Sequence, residues 1–114
     1  MAQYLVLIYE DEAGYANGGE QVYGEVMQAH GEFAGKHGPS LKGGEALQPV
    51  STATSIRGGS DGPSITDGPF IETKEALGGY YLIEAADLDE AIAIAKDVPA
   101  RFGGVEVRPI MTFD

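Results

Sequence analysis

The stretch QYLVLIY, residues 3–9, decides the fold because it is apolar on both of its faces. Its β-branched and aromatic residues are typical of a β-strand, in which successive side chains point to opposite sides. One face carries Tyr4, Val6 and Ile8, and the other carries Leu5, Leu7 and Tyr9. Such a strand is expected to be buried on both faces. We therefore predict that helices cover one face and that a partner subunit covers the other.

The rest of the chain alternates between strand and helix patterns. Polar, glycine-rich residues 10–20 indicate a loop, and the spacing of apolar residues from about Glu20 to His37 predicts an amphipathic helix. Further strands are predicted at 41–48, where two glycines indicate a bulge, at 52–57 and 65–70 as a hairpin around the turn residues 58–64, at 79–85 and at 104–111.

Both helices show an apolar stripe at helical spacing. We expect Asp87 to cap the second helix, with Glu90 three positions later as in a capping box, and Pro99 to mark its end. The first stripe consists of Val22, Val26, Ala29, Phe33 and Ala34, and the second of Leu88, Ala91, Ile92 and Ala95.

The element order β–α–β–hairpin–β–α–β predicts an α+β fold, the ferredoxin-like split βαβ arrangement with an inserted hairpin. Residues 1–114 are expected to form a single domain with both helices on one face of the sheet. The other face is too apolar to be wet, so we expect a homodimer whose sheets face each other. Burial of a few large side chains per subunit, at about 1.5–3 kcal/mol each, would stabilise it.

The composition restricts the function classes. The chain carries a formal net charge of −11, which disfavours nucleic acid and anionic membranes as partners, because both are bound through clustered Lys and Arg. It contains no cysteine, so a disulfide, a thiolate nucleophile and a zinc–sulfur site are excluded. No stretch approaches the roughly 20 apolar residues of a membrane span. We expect a cytoplasmic protein that uses no metal and no cofactor.

Five sequence blocks follow one another along nearly the whole chain: YLVLIYEDE (4–12), GGEALQP (43–49), DGPFIETKEALGGYYLIEA (67–85), DLDEAIAIAKDVP (87–99) and VEVRPIM (105–111). Together these blocks resemble the YCII-related family, in the subgroup named after its DGPF motif. The resemblance implies a dimeric α/β-barrel fold. Some members look like small-molecule enzymes with a His–Asp pair proposed for acid–base chemistry, and one branch is reported as a dehydrochlorinase of an aromatic compound. DGPF members are also linked to sigma factors by genome context.

His30 and Asp67 are the candidate catalytic residues. His30 falls along the apolar stripe of the first helix, and a histidine that faces inward can transfer protons near neutral pH. The structural alternative is a packed histidine bonded to a backbone carbonyl. Asp67 either lies at the mouth of a cleft or holds the DGPF turn through nearby backbone N–H groups.

Four further residues are candidate substrate-binding groups. Arg57 can hold a carboxylate through two hydrogen bonds or pair with an acid of the chain, and an ion pair is expected for Arg108. Lys74 is a candidate substrate anchor within a charged, solvated connection. Phe70 is expected to fix the DGPF turn in apolar surroundings beside the pocket, and Tyr81 to offer its phenol to a ligand.

Two functions remain open from the sequence. The first is a cofactor-independent lyase or isomerase that acts on a polar small molecule through His30 and Asp67. The second is a non-catalytic dimer that binds a metabolite or a protein, including a component of transcription. A short separation between His30 and Asp67 favours the first function, and side chains on opposite faces favour the second.

Overall fold

Six strands and two helices make up the fold of the residues that the structure describes. The structure is a computed structural model, and it describes residues 1–113. In chain order the elements are β1 (Ala2–Glu10), α1 (Ala13–His37), β2 (Leu41–Ala46), β3 (Thr54–Arg57), β4 (Ser64–Asp67), β5 (Ala76–Ala85), α2 (Leu88–Ala95) and β6 (Gly103–Pro109), with short 3-10 turns at Gly38–Ser40 and Val50–Thr52. The predicted α+β class is confirmed.

Four strands form one antiparallel sheet in the order β2-β5-β1-β6, and β3 and β4 form a separate two-stranded sheet. β1 lies in the middle, where Val6 pairs with Tyr81 of β5 on one side and with Val107 of β6 on the other. The register of β2 against β5 shifts between Leu41 and Gly43, which confirms an irregular or bulged strand at this place. None of the helices in the described residues is long and apolar enough to cross a bilayer.

The core lies between the sheet and the two helices. Its largest fully buried side chains are Val6 and Ile83, and it continues through Tyr4, Ile8, Phe33, Ala85, Ala91, Ile94, Ala95 and Val98. The opposite face of the sheet differs, because Leu5, Leu7 and Tyr9 are only half-buried in the single chain. Within one chain, the prediction that both faces of the strand are buried is therefore confirmed for the face that the helices cover and not for the opposite face.

The predicted loop at 10–20 is wrong for much of its length. The helix already begins at Ala13, and in the turn before it the Asp11 side chain accepts a hydrogen bond from the Ala13 backbone N–H at 3.0 Å. Helical geometry is interrupted at Gly19, whose φ of 64° and ψ of −155° kink α1. The second part then starts at Glu20, as predicted. The polar, glycine-rich composition hid this short helical segment, whose N-cap residue Glu12 makes no capping hydrogen bond through its side chain.

The cap of α2 is confirmed, and its predicted stripe is partly wrong. The Asp87 carboxylate accepts from the Glu90 N–H at 2.9 Å, and the Glu90 carboxylate accepts from the Ala86 N–H at 3.2 Å. Leu88 and Ile92 are 47% and 38% exposed, whereas the buried residues of the helix are Ala91, Ile94 and Ala95. The helix therefore packs on Ile94 together with two alanines, whose small side chains allow a close approach to the sheet.

The stripe of α1 also differs from the prediction. Its buried residues are Val26 and Phe33, and the half-buried His30 and His37 fall on the same face, whereas Ala34 is exposed. The spacing of 4, 3 and 4 residues is that of one helix face. The inward face of α1 therefore carries two histidines.

The molecule has the shape of a slab with an attached arm. Its extents are 46 × 46 × 18 Å, and 18 Å is close to one sheet plus one layer of helices at roughly 10 Å each. Residues 53–70, here called the hairpin arm, contain β3 and β4, which share no ladder with the four-stranded sheet. One face of that sheet is thus left without a second layer.

Candidate functional site

His30 and Tyr81 meet between α1 and the sheet. The Nδ1 atom of His30 lies 2.7 Å from the phenol oxygen of Tyr81, which is within hydrogen-bonding distance. Phe33, one turn further along α1, packs its ring 4.8 Å from the Tyr81 ring, centroid to centroid, and so fixes the phenol. The contact connects a helix residue with a strand residue 51 positions later in the chain.

Gly44 of β2 leaves the space that the Tyr81 ring occupies. A Cβ atom added at Gly44 would lie 2.7 Å from Cδ1 of Tyr81 and 2.8 Å from the carbonyl oxygen of Tyr80. Any other residue at position 44 would displace the ring or the strand. The glycine on the edge strand therefore helps to place the phenol beside His30.

Burial keeps both partners of this pair neutral near pH 7. It lowers the pKa of His30 below its ordinary value of 6.5, although the negative charge of Glu10 partly opposes this shift. Burial also raises the pKa of Tyr81 above its ordinary value of 10.0. The hydrogen bond therefore joins two neutral groups and can run in either direction.

The second ring nitrogen of His30 is open. Within residues 1–113 the Nε2 atom forms no hydrogen bond, and no side-chain nitrogen or oxygen atom there is both sealed from solvent and unpaired. Nε2 is therefore neither hydrogen-bonded nor sealed from solvent. If Nδ1 donates to the phenol oxygen, Nε2 is a base, and if the phenol donates to Nδ1, Nε2–H is a donor. The packed-histidine alternative, with a backbone carbonyl as partner, is wrong for Nδ1.

Glu10 is a functional candidate that the sequence predictions missed. Its buried carboxylate accepts hydrogen bonds from the Tyr15 phenol at 2.7 Å and from the Phe102 backbone N–H at 3.2 Å. Burial, and then the hydrogen bond to Glu10, raise the pKa of Tyr15. Glu10 is also the acid whose charge acts on His30. A signal was present, because the buried face of β1 continues from Ile8 to Glu10 at a spacing of two residues.

Asp67 does not meet His30 within one chain. It ends β4 on the hairpin arm, where it is exposed and lies opposite Thr54. No hydrogen bond or ion pair between Asp67 and His30 occurs in the described residues. The DGPF turn is held by its backbone, since the Gly68 N–H donates to the Ala53 carbonyl at 2.7 Å.

Arg57 and Phe70 form a contact of their own on the arm. The Arg57 guanidinium carbon lies 3.8 Å from the centre of the Phe70 ring, and its Nη2 atom donates to the Phe70 carbonyl at 3.4 Å. Phe70 is 54% exposed, so the apolar surroundings predicted for it are wrong within the single chain. Arg57 is occupied by an aromatic ring rather than by an acid. The ion pair predicted for Arg108 is confirmed, with Glu106 as its partner.

Lys74 borders a separate cleft. This cleft has a volume of about 540 Å³ and is lined by Lys74, Asp11, Asn17, Glu75 and Phe102 together with Ala13 and Gly14. A second cleft of about 340 Å³ lies beside Pro69, Ile71 and Ala76. Neither cleft is lined by His30 or Tyr81. The predicted site residues thus fall into three groups: His30 with Tyr81, the three arm residues, and Lys74.

The chain is similar to proteins of one family. The family model described as the YCII-related domain matches residues 2–114. A similar protein, an uncharacterized protein of Rhizobium meliloti (strain 1021), is 36% identical over 119 residues, which cover 96% of this chain and 93% of the relative.

Proposed function

Because the chain belongs to the YCII-related family, we propose that it is an enzyme that acts on a polar small molecule by acid–base chemistry without a cofactor. The observation that carries this proposal is the 2.7 Å contact between His30 Nδ1 and the Tyr81 phenol, with Nε2 open. A neutral histidine with one anchored and one free nitrogen is suited to proton transfer near pH 7. The closest reaction classes are lyase and isomerase.

In this mechanism His30 removes a proton from the substrate. Nδ1–H donates to the Tyr81 oxygen, and Nε2 takes a proton from a carbon next to an electron-withdrawing group of the substrate. The electron pair of the broken C–H bond stays on the substrate and is delocalised towards its electron-withdrawing group. In an isomerase, Nε2 returns the proton to a second carbon of the substrate. In a lyase, the electron pair forms a double bond and expels a leaving group from the neighbouring carbon, and the leaving group takes up the proton from Nε2.

Two carboxylates compete for the role of the second catalytic group. We keep Asp67 as a proposed catalytic residue, but its place on the arm requires that it reach a histidine outside its own chain. Glu10 is the alternative, because its charge favours the protonated form of His30. Arg57, Phe70 and Lys74 stay proposed substrate contacts.

We also propose that the chain forms a homodimer with the ferredoxin-like, dimeric α/β-barrel arrangement of the DGPF subgroup, and that it acts in the cytoplasm. The strand order β2-β5-β1-β6 supports the split βαβ part of this proposal. The half-buried Leu5, Leu7 and Leu82 on the uncovered sheet face support the dimer, since a second sheet would bury them.

The alternative is a dimer that binds a metabolite without chemistry. The cleft beside Lys74 favours it, because its volume of about 540 Å³ is within the usual range of ligand sites and it lies apart from His30. In that case ligand binding depends on Lys74 and not on His30.

A ligand screen followed by a turnover assay separates the two functions. A binder found by thermal shift is incubated with wild type, His30→Ala and His37→Ala, and conversion is followed by NMR. His37 is the matched control, because it lies on the same helix face but contacts Asp97 at 2.8 Å. Loss of conversion in His30→Ala alone supports the enzyme. Conversion that survives His30→Ala rules out this mechanism.

A further inference from the structure

The chain exposes more surface than a monomer of its mass. Its solvent-accessible area is 7777 Å², whereas a folded 12.0 kDa monomer is expected to expose about 6,000 Å². The excess of roughly 1,800 Å² exceeds the approximately 800 Å² that one partner contributes to a standard interface. The radius of gyration is likewise 16.0 Å, against roughly 13 Å expected for this length.

The hairpin arm is one source of this excess. Its two strands are joined to each other and not to the main sheet, and a lone two-stranded hairpin is marginally stable in water. Ile56 and Ile65 stand directly opposite each other on the arm, and they are 60% and 71% exposed. An exposed cross-strand isoleucine pair is an apolar surface without a partner in its own chain.

A matching surface exists elsewhere on the same chain. On the uncovered sheet face Leu7 lies opposite Tyr80 and Leu5 lies opposite Leu82, and all four side chains are half-buried. A chain that carries both an apolar arm and an apolar face can dock both at once in a two-fold dimer, because each copy supplies both surfaces.

The charge distribution favours a second copy as the occupant. The arm contains one Arg and two Asp, a net charge of −1, so the remaining residues carry −10 of the total of −11. Two copies repel each other wherever acidic segments meet. A segment with almost no net charge can approach a second acidic copy with little repulsion, whereas it offers no charge with which to attract a basic partner.

From the area, the arm and the charge together, we propose that the hairpin arm of one chain packs its Ile56–Ile65 pair against the uncovered sheet face of a second copy. This inference rests on the homodimer proposed above and adds the arm to its interface, where the arm covers the part of the sheet face that lies beside the contact between the two sheets. It also places Asp67, Arg57 and Phe70 at the partner's uncovered sheet face, which is opposite to the face that carries His30 and Tyr81. In such a dimer Glu10, and not Asp67, is the carboxylate that acts on His30.

Sedimentation of two matched variants tests the docking. Ile65→Glu and Thr66→Glu add the same charge at neighbouring exposed positions that point to opposite faces of the arm. Ile65→Glu is expected to raise the dimer dissociation constant about 10-fold or more, because it removes a buried isoleucine from the interface. Thr66→Glu is expected to raise it much less. Equal effects of the two variants overturn the docking of the arm.

The outcomes distinguish failure of the arm docking from failure of the proposed homodimer. If the wild type sediments as a monomer at tens of micromolar, both the proposed homodimer and the docking of the arm are excluded. If the wild type dimerises and Ile65→Glu leaves the dissociation constant unchanged, only the arm is excluded. Loss of dimerisation in Ile65→Glu with an unchanged melting profile of the monomer supports the arm.

A cross-linking experiment gives an independent answer, because it identifies the contacted segment and does not depend on a change in dimer affinity. The chain has no cysteine, so Ile65→Cys provides a single attachment point for an apolar benzophenone label. The benzophenone-labelled protein, at natural isotope abundance, is mixed with ¹⁵N-enriched protein that carries no benzophenone. Cross-linked peptides are identified by mass spectrometry. Cross-links to ¹⁵N peptides of β1 or β5 support the proposal. Cross-links confined to the labelled chain, or to ¹⁵N peptides of the helices, overturn it.

Discussion

His30 of α1 and Tyr81 of β5 are joined at 2.7 Å between Nδ1 and the phenol oxygen, and this contact connects the helix layer with the sheet. It is also a half-buried polar contact beside the apolar core, against which the Tyr81 ring packs. A polar contact in such a place contributes to stability as well as to any chemistry at Nε2. The two contributions can be measured separately.

Removing the phenol should weaken the fold modestly. Tyr81→Phe deletes the hydrogen bond to His30 and is expected to lower the free energy of unfolding by about 1 kcal/mol. Tyr80→Phe is the matched control, because Tyr80 is the neighbouring tyrosine on the opposite face of the same strand. Urea denaturation at pH 7 measures both. If both variants lose the same free energy of unfolding, the loss comes from removing a tyrosine hydroxyl as such, and the hydrogen bond to His30 contributes nothing further.

Stability should fall on mild acidification because of His30. The pKa of His30 in the folded state lies below its ordinary value of 6.5, so the unfolded chain binds the proton more readily. The contribution of this residue is complete above about pH 6.5 and is lost as the pH falls through the lowered pKa. Unfolding free energies measured between pH 7.5 and pH 5.5 should decrease in wild type and decrease less in His30→Gln. An unchanged pH dependence in this variant contradicts the assignment.

The carboxylate of Glu10 should tune His30. Glu10→Gln removes the negative charge that favours protonated His30, so the pKa of His30 is expected to fall further. Glu12→Gln is the control, since Glu12 accepts from the Val50 N–H at 3.0 Å but is not among the causes of the His30 shift. An NMR titration of the His30 ring protons reads out the pKa directly. A fall of equal size in the control would mean that overall charge, and not Glu10, acts on the ring.

Two glycines of α1 should respond in opposite directions to alanine. Gly19 has a positive φ of 64°, so Gly19→Ala is expected to lower the free energy of unfolding by about 1 kcal/mol. At Gly24, within the second part of the helix, an added Cβ meets no atom within 4 Å. Gly24→Ala is therefore expected to raise the free energy of unfolding by up to about 1 kcal/mol. Thermal denaturation followed by circular dichroism compares the two, and a stabilising Gly19→Ala would contradict the kink.

The sequence predicts the elements that depend on local, periodic signals. The strand at 3–9, the capping of α2 by Asp87 and the inserted hairpin are all found, because alternation, a cap and turn residues act over a few positions. The helical segment from Ala13 to Gly18 was not predicted. Its glycine-rich sequence has low helix propensity, and tertiary packing, which local patterns do not report, compensates for this.

The candidate site was predicted only in part for a related reason. His30 and Tyr81 were each singled out, but their contact depends on how α1 lies across the sheet, and no local pattern specifies that. Asp67 was paired with His30 through a family resemblance, whereas the fold places Asp67 on the arm. The polar, glycine-rich pattern of residues 10–20 assigns Glu10 to a loop, although Glu10 continues the buried face of β1.

Gly44 and Tyr81 compete for the same volume, so the residue types at these two positions are coupled. A larger side chain at position 44 must displace the Tyr81 ring, which takes the phenol away from the histidine, or move β2 away from the Tyr80 carbonyl of β5. Position 44 can therefore serve as a sequence marker, because a glycine there lets β2 and the histidine–tyrosine pair keep the arrangement seen in this chain.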